Sequence, residues 1–465
     1  MTATGNKVKL VIIGGGPGGY VAALRAATLG ADVVLIEARE VGGTCLNRGC
    51  IPSKILLHSA EILEQTKGAA EFGIVTQPAC PDLTVMMKRK ETVVGQLRKG
   101  VEMLLKGRNV RLINAKGSLL APNKVAARNA AGEEIITADK IILASGSVPA
   151  RPPIPGGNED GVITSDEILM LQEIPKSLVV IGGGAIGLEF SYLFATLGSK
   201  VTIIEMLPHI LPTEDEEVTT DLGRAFRRLG VDIFAAAKVE GIESANGKKK
   251  VNFTYQDKPN AVEADLVLMA TGRVPYTDGL GLDTVGIEMD RRFVKANAKL
   301  ETNIPGIYAI GDLIGGLQLA HKASAEGKVA VANALGHNEE MDYRAVPACV
   351  YTHPETASVG LNEAEAAKQG ITVKVGRFPF RALGKALAIG ERNGFVKIVA
   401  AADSGIVLGA QMIGPRVTDL IAEAVLAVQM KLTAKQLADT IHAHPTLAEP
   451  TQEAAEEILG LGIHK

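Results

Sequence analysis

The sequence predicts an α/β protein that contains two copies of a strand–helix–strand unit and a separate α+β domain at its C-terminal end. Three observations support this fold class: an internal repeat at residues 11–37 and 179–205, a high glycine content of 51 residues, and a pattern of strands followed by helices after residue 346. With 465 residues, of which 46% are hydrophobic, the chain can form several domains with large buried cores.

The composition argues against several classes of protein. The net charge is −3 and no dense block of Lys or Arg is present, which gives no sign of a nucleic-acid-binding protein. Four cysteines are too few for a disulfide-stapled secreted scaffold, and the opening MTATGNKVKL lacks the apolar core of a signal peptide. The apolar residues 178–198 include Glu189 and several glycines, so they predict a strand, a turn and a helix rather than a membrane span. We therefore expect a cytoplasmic protein.

The internal repeat aligns residues 11–37 with residues 179–205 without a gap, and thirteen of the 27 positions are identical. Each copy reads as an apolar strand, a G-x-G-x-x-G turn, a helix and a second strand that ends in glutamate. The motif glycines are Gly14, Gly16 and Gly19 in the first copy and Gly182, Gly184 and Gly187 in the second. In such a motif the first glycine makes a tight turn, the second lets the backbone approach a pyrophosphate, and the third lets helix and strand pack closely.

The glutamate that ends each repeat supports a ligand at each loop. Glu37 and Glu205 both follow the first motif glycine by 23 residues, where a carboxylate can accept hydrogen bonds from a ribose diol. The repeat therefore predicts two Rossmann-like dinucleotide sites. The alternative to two ligand sites is that the glycine turns only pack a helix on a strand. That alternative would not require a glutamate at the same position in both repeats.

Glu205 also favours NAD over NADP at the second site. A carboxylate there would repel a 2′-phosphate, and the following residues, MLPHIL, supply no arginine to neutralise one.

The rest of the chain divides in order along the sequence. Residues 55–107 have apolar residues at helical spacing, which predicts helix. Residues 108–145 read as short strands, and the last of these strands leads into the glycine of IILASGS. Residues 265–275, DLVLMATGRVP, show the same pattern of a strand followed by glycine. Residues 301–313 predict another short strand, with Asp312 just past its end. We expect domain boundaries at 1–150, 151–274, 275–345 and 346–465.

Cys45 and Cys50 raise a geometric question. Residues five apart in an ideal helix have Cα atoms roughly 8.5 Å apart, whereas a disulfide needs about 7 Å or less. Gly49 can bend the chain between them, and Pro52 predicts that a helix begins near Cys50, where the helix N-terminus lowers a thiol pKa. Lys54 follows one turn later and adds a cation. A redox-active disulfide is the favoured interpretation; a zinc half-site and two inert buried thiols are the alternatives.

A candidate base lies in the segment HAHPTLAE near the C-terminus. His442 and His444 can titrate near neutrality, and Glu449 lies five residues beyond His444, where it can orient an imidazole. Pro445 predicts a loop here. Taken alone, such a pair is more often a surface feature than a catalytic one.

Together with the glycine motifs, the segments GGTCLNRGCIPSK, ATGRVP, YAIGD, LAHKA and HAHPTLAE resemble the pyridine nucleotide–disulfide oxidoreductase family over essentially the whole chain. The resemblance implies a homodimer with FAD at the first dinucleotide site and NAD at the second. It implies that Cys45 exchanges with the substrate, that Cys50 contacts the flavin, and that His444, oriented by Glu449, serves the disulfide of the other subunit. The resemblance also implies what each expected domain does. Residues 1–150 would be an FAD-binding domain, 151–274 an NAD-binding domain, 275–345 a central region that completes the FAD site, and 346–465 an interface domain.

The resemblance also implies further cofactor contacts. Lys54 would pair with Glu189 near the flavin, and Asp312 would bind the ribityl chain. The other residues implied to contact FAD are Gly117, Ser145, Gly146, Ser147, Gln318, Leu319, Ala320 and His321, and those implied to contact NAD are Val239 and Gly272. One small departure is ASGS, where relatives more often have ATGS; serine keeps the hydroxyl. No metal site is expected.

Among members of this family, the resemblance is to those that oxidise protein-bound dihydrolipoamide and reduce NAD. Their partners would be the lipoyl domains of 2-oxo acid dehydrogenase or glycine cleavage complexes. The main alternative is a disulfide reductase of the glutathione reductase type, against which Glu205 argues. A mercuric reductase would require a C-terminal cysteine pair, which LGLGIHK lacks. A catalytically idle flavoprotein scaffold is a further alternative.

Overall fold

The computed structural model describes residues 7–245 and 247–464. Its first large sheet has five parallel strands and carries the first glycine repeat. In spatial order the strands are Ile307–Ala309, Lys140–Leu143, Lys9–Ile13, Asp32–Glu37 and Arg111–Asn114. The helix Pro17–Thr28, hereafter the first glycine helix, connects the two central strands. The predicted strand near residues 301–313 thus joins this sheet from far along the chain.

The second large sheet has the same plan and carries the second repeat. In spatial order its parallel strands are Asp232–Phe234, Lys200–Ile204, Ser177–Ile181, Leu266–Met269 and Val162–Ile163. The helix Ala185–Leu197, the second glycine helix, connects the central pair. Continuous apolar runs form these strands because both faces of a parallel sheet are covered, and Leu10, Ile12 and Val180 are accordingly fully buried.

Small antiparallel sheets extend both units. The three-stranded sheets consist of Lys116–Ala121, Lys124–Asn129 and Gly132–Thr137, and of Ala237–Ala245, Lys248–Tyr255 and Lys258–Ala264. The two-stranded sheets pair Ser147–Pro149 with Arg273–Pro275, and Met289–Asp290 with Phe293–Val294. The pairing of Ser147–Pro149 with Arg273–Pro275 joins the segments that leave the two large sheets.

The helical region after the first repeat is interrupted. Its helices are Gly43–Arg48, Cys50–Gly68, the 3-10 turn Ala69–Phe72, and Leu83–Gly107. The expectation of helix throughout 55–107 is therefore wrong for residues 73–82. Gly73 ends the helical turn with φ 76°, and Pro78 and Pro81 supply no backbone N–H to continue it.

The C-terminal region is α+β, as expected. Its antiparallel sheet contains, in spatial order, Ala348–Val350, Glu355–Gly360, Val407–Gly414, Phe395–Ala401 and Val373–Pro379. Its helices are Glu363–Lys368, the 3-10 turn Phe380–Ala382, Gly384–Ala388, Val417–Met430, Ala434–Asp439 and Glu449–Ile458. The remaining helices of the described chain are Ser165–Ile168, Glu216–Arg228, Leu282–Val285, the 3-10 turn Gly311–Ile314, and Ala320–Ala334. Within the described ranges, no helix has the length and apolar character to cross a bilayer.

Candidate active site

Equivalent glycines of the two loops have similar backbone angles and similar steric restrictions. Gly14 and Gly182 have φ of 105° and 108°, in the left-handed region that favours glycine. A Cβ at Gly19 would lie 1.8 Å from the Gly14 carbonyl oxygen, and one at Gly187 would lie 2.0 Å from that of Gly182. The first and third glycines are therefore required by the fold itself.

The second glycine of each loop is different, because it borders open space. A Cβ at Gly184 would have no heavy-atom neighbour within 4 Å, and one at Gly16 would meet only the Cα of Gly43 at 3.9 Å. Gly16 and Gly184 are also the N-caps of the two glycine helices, and neither helix has a side-chain cap there. Open space beside uncapped N–H groups is where a pyrophosphate fits.

Glu37 and Glu205 occupy equivalent positions. Glu37 accepts hydrogen bonds from Gly15 N at 2.6 Å and Arg39 N at 2.8 Å. Glu205 accepts them from Gly183 N at 2.5 Å and Leu207 N at 2.7 Å. Each carboxylate thus ties its glycine loop to the end of the second strand, while its further lone pairs remain available for a ribose.

Cys45 and Cys50 lie on two consecutive helices, and the chain turns between them at Gly49. Cys45 is in the helix Gly43–Arg48, and Cys50 begins the helix Cys50–Gly68, as its sequence predicted. A Cβ at Gly49 would approach the Thr44 carbonyl oxygen to 3.1 Å. Both cysteines are free thiols in the structure, and their side chains lie close enough for Cys45 to act as a hydrogen-bond donor to the Cys50 thiolate.

The hydrogen bond between the two cysteines separates their pKa values. The hydrogen bond from Cys45, aided by the charge of Lys54 and opposed by burial, lowers the pKa of Cys50 to about 7. The same hydrogen bond, together with burial, raises the pKa of Cys45 above its ordinary value. The direction for Cys50 agrees with the expectation from its place at a helix start, but the main cause is the neighbouring thiol. Cys50 is therefore the thiolate of the pair near neutral pH.

Lys54 forms the predicted ion pair with Glu189. The Lys54 Nζ donates to both carboxylate oxygens at 2.8 and 2.9 Å, and the Glu189 side chain is only 8% exposed. Lys54 is one turn beyond Cys50 and Glu189 is on the second glycine helix, so the pair connects the cysteine helix to the second nucleotide unit.

Asp312 belongs to a partly buried chain of hydrogen bonds. Ser147 donates its hydroxyl to Asp312, while Arg273 donates to Ser147 Oγ at 2.7 Å and to Ser147 O at 2.8 Å. Burial lowers the pKa of Arg273 although Asp312, Asp166 and Cys50 lie close enough to raise it. Arg273 is a further candidate site residue that the sequence patterns did not single out, although it lies in the segment ATGRVP.

The segment Gln318 to His321 enters the helix Ala320–Ala334, with Leu319 as the N-cap. The Nε2 of Gln318 is buried and has no hydrogen-bond partner in the described structure, so a ligand acceptor fits there. His321 instead points to the C-terminal region, where its Nε2 lies 2.8 Å from Pro347 O.

The other predicted contacts lie within strands or in the turns that follow them. Ser145 donates to Tyr276 O at 2.7 Å, Gly146 has φ 71°, and Gly272 has φ 100°. Gly117 packs on the first sheet, since a Cβ there would lie 2.9 Å from the Ile13 side chain. Val239 is on the strand Ala237–Ala245.

His444 and Glu449 form the predicted pair: His444 lies in the loop before the helix Glu449–Ile458, and Glu449 is the first residue of that helix. His444 Nδ1 lies 2.8 Å from Glu449 Oε2, and the His444 side chain is 79% exposed. Burial by itself raises the pKa of Glu449, but hydrogen bonds from His444 and from Thr446 N–H outweigh burial and lower the pKa. Glu449 therefore stays ionised at neutral pH. His442 has both ring nitrogens engaged, with Glu423 and Thr440 O, and is a structural neighbour.

Comparisons with known proteins agree with this arrangement. The sequence matches the pyridine nucleotide-disulphide oxidoreductase family over residues 8–327 and the dimerisation domain of that family over residues 346–455. It is 44% identical over 459 residues to dihydrolipoyl dehydrogenase of Chlamydia muridarum, covering 98% of this chain and 97% of the relative. It is 44% identical over 461 residues to dihydrolipoyl dehydrogenase of Thermus scotoductus, covering 98% of each chain.

Solved structures show the same similarity. The crystal structure of LpdA from Mycobacterium tuberculosis superposes with a TM-score of 0.90 at 30% identity, covering 97% of this chain and 99% of that one. An HOCl-induced flavoprotein disulfide reductase from Escherichia coli, in its Cu(II) complex, superposes with a TM-score of 0.87 at 30% identity, covering 97% of this chain and 100% of that one. The chain therefore belongs to the pyridine nucleotide-disulphide oxidoreductase family.

Proposed function

We propose that the protein is an FAD-dependent dihydrolipoyl dehydrogenase, which oxidises protein-bound dihydrolipoamide to lipoamide and reduces NAD to NADH. The observation that carries the proposal is the cysteine pair, whose two thiols differ in pKa beside the Lys54–Glu189 ion pair. The curated relatives in Chlamydia muridarum and Thermus scotoductus bear this name.

The thiol chemistry assigns different tasks to the two cysteines. A substrate thiolate attacks Cys45 of the oxidised pair, the bond between Cys45 and Cys50 breaks, and Cys50 leaves as a thiolate, which its low pKa favours. The second substrate thiol then attacks the mixed disulfide, so that lipoamide is released and Cys45 becomes a thiol. The substrate has lost two electrons and the cysteine pair has gained them.

His444 is the proposed base that removes the substrate proton. Its Nδ1 is bound to the ionised Glu449, which leaves Nε2 without a partner in the described chain and able to accept a proton. Because the side chain is exposed on the region that matches the dimerisation domain, we propose that His444 serves the cysteines of a second copy in a homodimer.

The residues of both loops fit the proposed cofactors. FAD, when bound at the first loop, would accept the electron pair from the cysteines and transfer it to NAD as hydride. Gly16 and the unpartnered Gln318 Nε2 suit FAD, with Asp312 and Ser147 at the same edge of the sheet. Gly184 and Glu205 suit NAD. The remaining predicted contacts, including Gly117, Val239 and Gly272, are part of the same proposal.

The proposal extends to organisation and partners. Residues 1–150 would bind FAD, 151–274 NAD, 275–345 would complete the FAD site, and 346–465 would form the dimer interface. The lipoyl domains of 2-oxo acid dehydrogenase or glycine cleavage complexes are the proposed partners. A cytoplasmic location is supported by the low number of cysteines, four in the chain.

The test is the rate of NAD reduction by dihydrolipoamide with the purified, FAD-loaded protein, run beside NADPH oxidation by glutathione disulfide. We expect fast NADH formation and no glutathione activity. The reverse result would reject the proposal and assign a reductase of the glutathione reductase type.

A variant links that activity to the cysteines. Cys45→Ser is expected to abolish dihydrolipoamide oxidation while FAD stays bound, because the sulfur that exchanges with the substrate is lost. Cys80→Ser is the matched control, since Cys80 is exposed and lies outside the site, and it is expected to keep the wild-type rate. Full turnover in Cys45→Ser would contradict the proposed exchange.

A further inference from the structure

Tyr351 connects the C-terminal region to the ion pair beside the cysteines. It directly follows the strand Ala348–Val350, and its backbone N–H donates to Glu189 Oε1 at 3.2 Å. The Lys54 Nζ lies 4.4 Å from the centroid of the Tyr351 ring. The ammonium of Lys54 is therefore held between a carboxylate and an aromatic face.

The Lys54–Tyr351 contact borders a cavity from which water can reach the Lys54 ammonium. Lys54 and Tyr351 both line a cavity of about 680 Å³ between the helix Cys50–Gly68 and the C-terminal region. The Lys54 side chain is 31% exposed and Tyr351 is 37% exposed. Water from this cavity would solvate and screen the ammonium wherever the ring does not cover it.

We propose that Tyr351 is a positioning residue, whose ring holds the Lys54 ammonium in place and shields it from water, so that a larger fraction of Cys50 is kept as the thiolate. The ring face attracts the cation, and such contacts strengthen as the cation loses water. The backbone N–H of the same residue orients Glu189, so one residue restrains both members of the ion pair.

The charged groups around Cys50 and Tyr351 indicate how the Tyr351 ring influences the Cys50 thiolate. Cys50 faces Cys45, Lys54 and Glu189, and the charge of Lys54 lowers its pKa while that of Glu189 raises it. Arg273 is also near Cys50. The phenol of Tyr351 stays neutral, because burial, with Cys349, Glu189 and Glu355 nearby, raises its pKa to about 12. The ring therefore acts through Lys54 and not through a charge of its own.

The test measures the titration of Cys50 directly. Tyr351→Leu and Tyr351→Phe are prepared in the FAD-loaded Cys80→Ser protein, so that the exposed Cys80 does not contribute, and the ultraviolet thiolate absorbance of the reduced protein is followed with pH. We expect about threefold fewer Cys50 thiolates in Tyr351→Leu below about pH 6, and no difference well above neutral pH. Tyr351→Phe, which keeps the ring, is expected to titrate like the parent protein.

A double variant shows whether the effect passes through Lys54. In a Lys54→Met background, Tyr351→Leu is expected to cause no additional shift of the Cys50 titration. An unchanged titration in Tyr351→Leu, an equal shift in Tyr351→Phe, or a shift that persists without Lys54 would each overturn the inference. If Tyr351→Leu does not fold, Tyr351→Gln, which lacks the aromatic face but keeps similar length, gives the same three comparisons.

This inference rests on the proposed role of Cys50, yet its test does not depend on turnover. A protein with no activity toward dihydrolipoamide would still show whether the thiolate titration depends on Tyr351. Failure of the proposed function and failure of this inference are therefore separate results.

Discussion

At the scale of single residues, the site gives chemically identical groups different properties. Cys45 and Cys50 differ because one donates a hydrogen bond to the other and because Lys54 lies on the helix that Cys50 begins. His442 and His444 differ because both nitrogens of the first are engaged, whereas the second keeps one free in the described chain. Hydrogen bonding, more than residue type, therefore distinguishes the two members of each pair.

The role of His444 leads to a prediction at this scale. His444→Gln is expected to lower the rate of dihydrolipoamide oxidation by about 10²- to 10⁴-fold, the usual contribution of a general base. NADH oxidation with ferricyanide as the acceptor, which needs no thiol exchange, is expected to stay near the wild-type rate.

A matched control exists near the C-terminus. His464 also pairs with a carboxylate, Glu453, and its side chain is 70% exposed, but no role is assigned to it. His464→Gln is expected to leave both rates unchanged. An equal loss of thiol oxidation in the two variants would show that His444 is not the base.

At the scale of elements, each glycine loop divides its glycines between folding and binding. The third glycine permits contact between helix and loop, whereas the second leaves space and free N–H groups. The same division appears in both repeats, which is why a sequence motif can predict local structure and a ligand site together.

Two substitutions in the second loop separate these tasks. Gly187→Ala is expected to lower the free energy of unfolding by about 1–3 kcal/mol, because its Cβ would lie 2.0 Å from the Gly182 carbonyl oxygen. Gly184→Ala is expected to change that free energy by less than about 1 kcal/mol but to raise the KM for NAD at least about tenfold, because its methyl group occupies the pyrophosphate position. Urea unfolding and NAD kinetics measure the two effects. Normal NAD kinetics in Gly184→Ala would place the dinucleotide elsewhere.

At the scale of the whole molecule, buried charges connect the second nucleotide unit to the C-terminal sheet. Lys397, in the strand Phe395–Ala401, has a fully buried side chain. Its Nζ lies 2.7 Å from Asp215 Oδ2 and 2.8 Å from Glu363 Oε2. Asp215 is the N-cap of the helix Glu216–Arg228. One lysine thus joins two regions that are distant in sequence.

Removal of that lysine is expected to destabilise the folded chain. Lys397→Met should lower the free energy of unfolding by about 3 kcal/mol, because the carboxylate of Asp215, 9% exposed, is left without its cation. Lys435→Met is the control: its pair with Asp439 is exposed and should contribute less than about 0.5 kcal/mol. Urea unfolding at one fixed protein concentration compares the two variants. Equal effects would show that the buried contact adds no special stability.

Local pattern predicted much of this molecule. The repeat predicted both parallel sheets and their glycine loops, and Pro52 with Gly49 predicted a helix that begins at Cys50. These features depend on neighbours within a few residues, or on a periodicity that is visible in one segment. The prediction was wrong at residues 73–82, where two prolines and a glycine interrupt a helical pattern of apolar residues.

The sequence by itself determined the architecture and the two glycine loops, and it supplied the proposed reactive residues. Only the tertiary structure decided which distant side chains meet: Arg273 with Ser147, Tyr351 with Lys54, and Lys397 with Asp215. The physical reason is the distance along the chain over which each interaction acts. Turns, caps and helices are set by local sterics and hydrogen bonds, whereas a buried charge requires a partner that packing brings from a remote part of the chain.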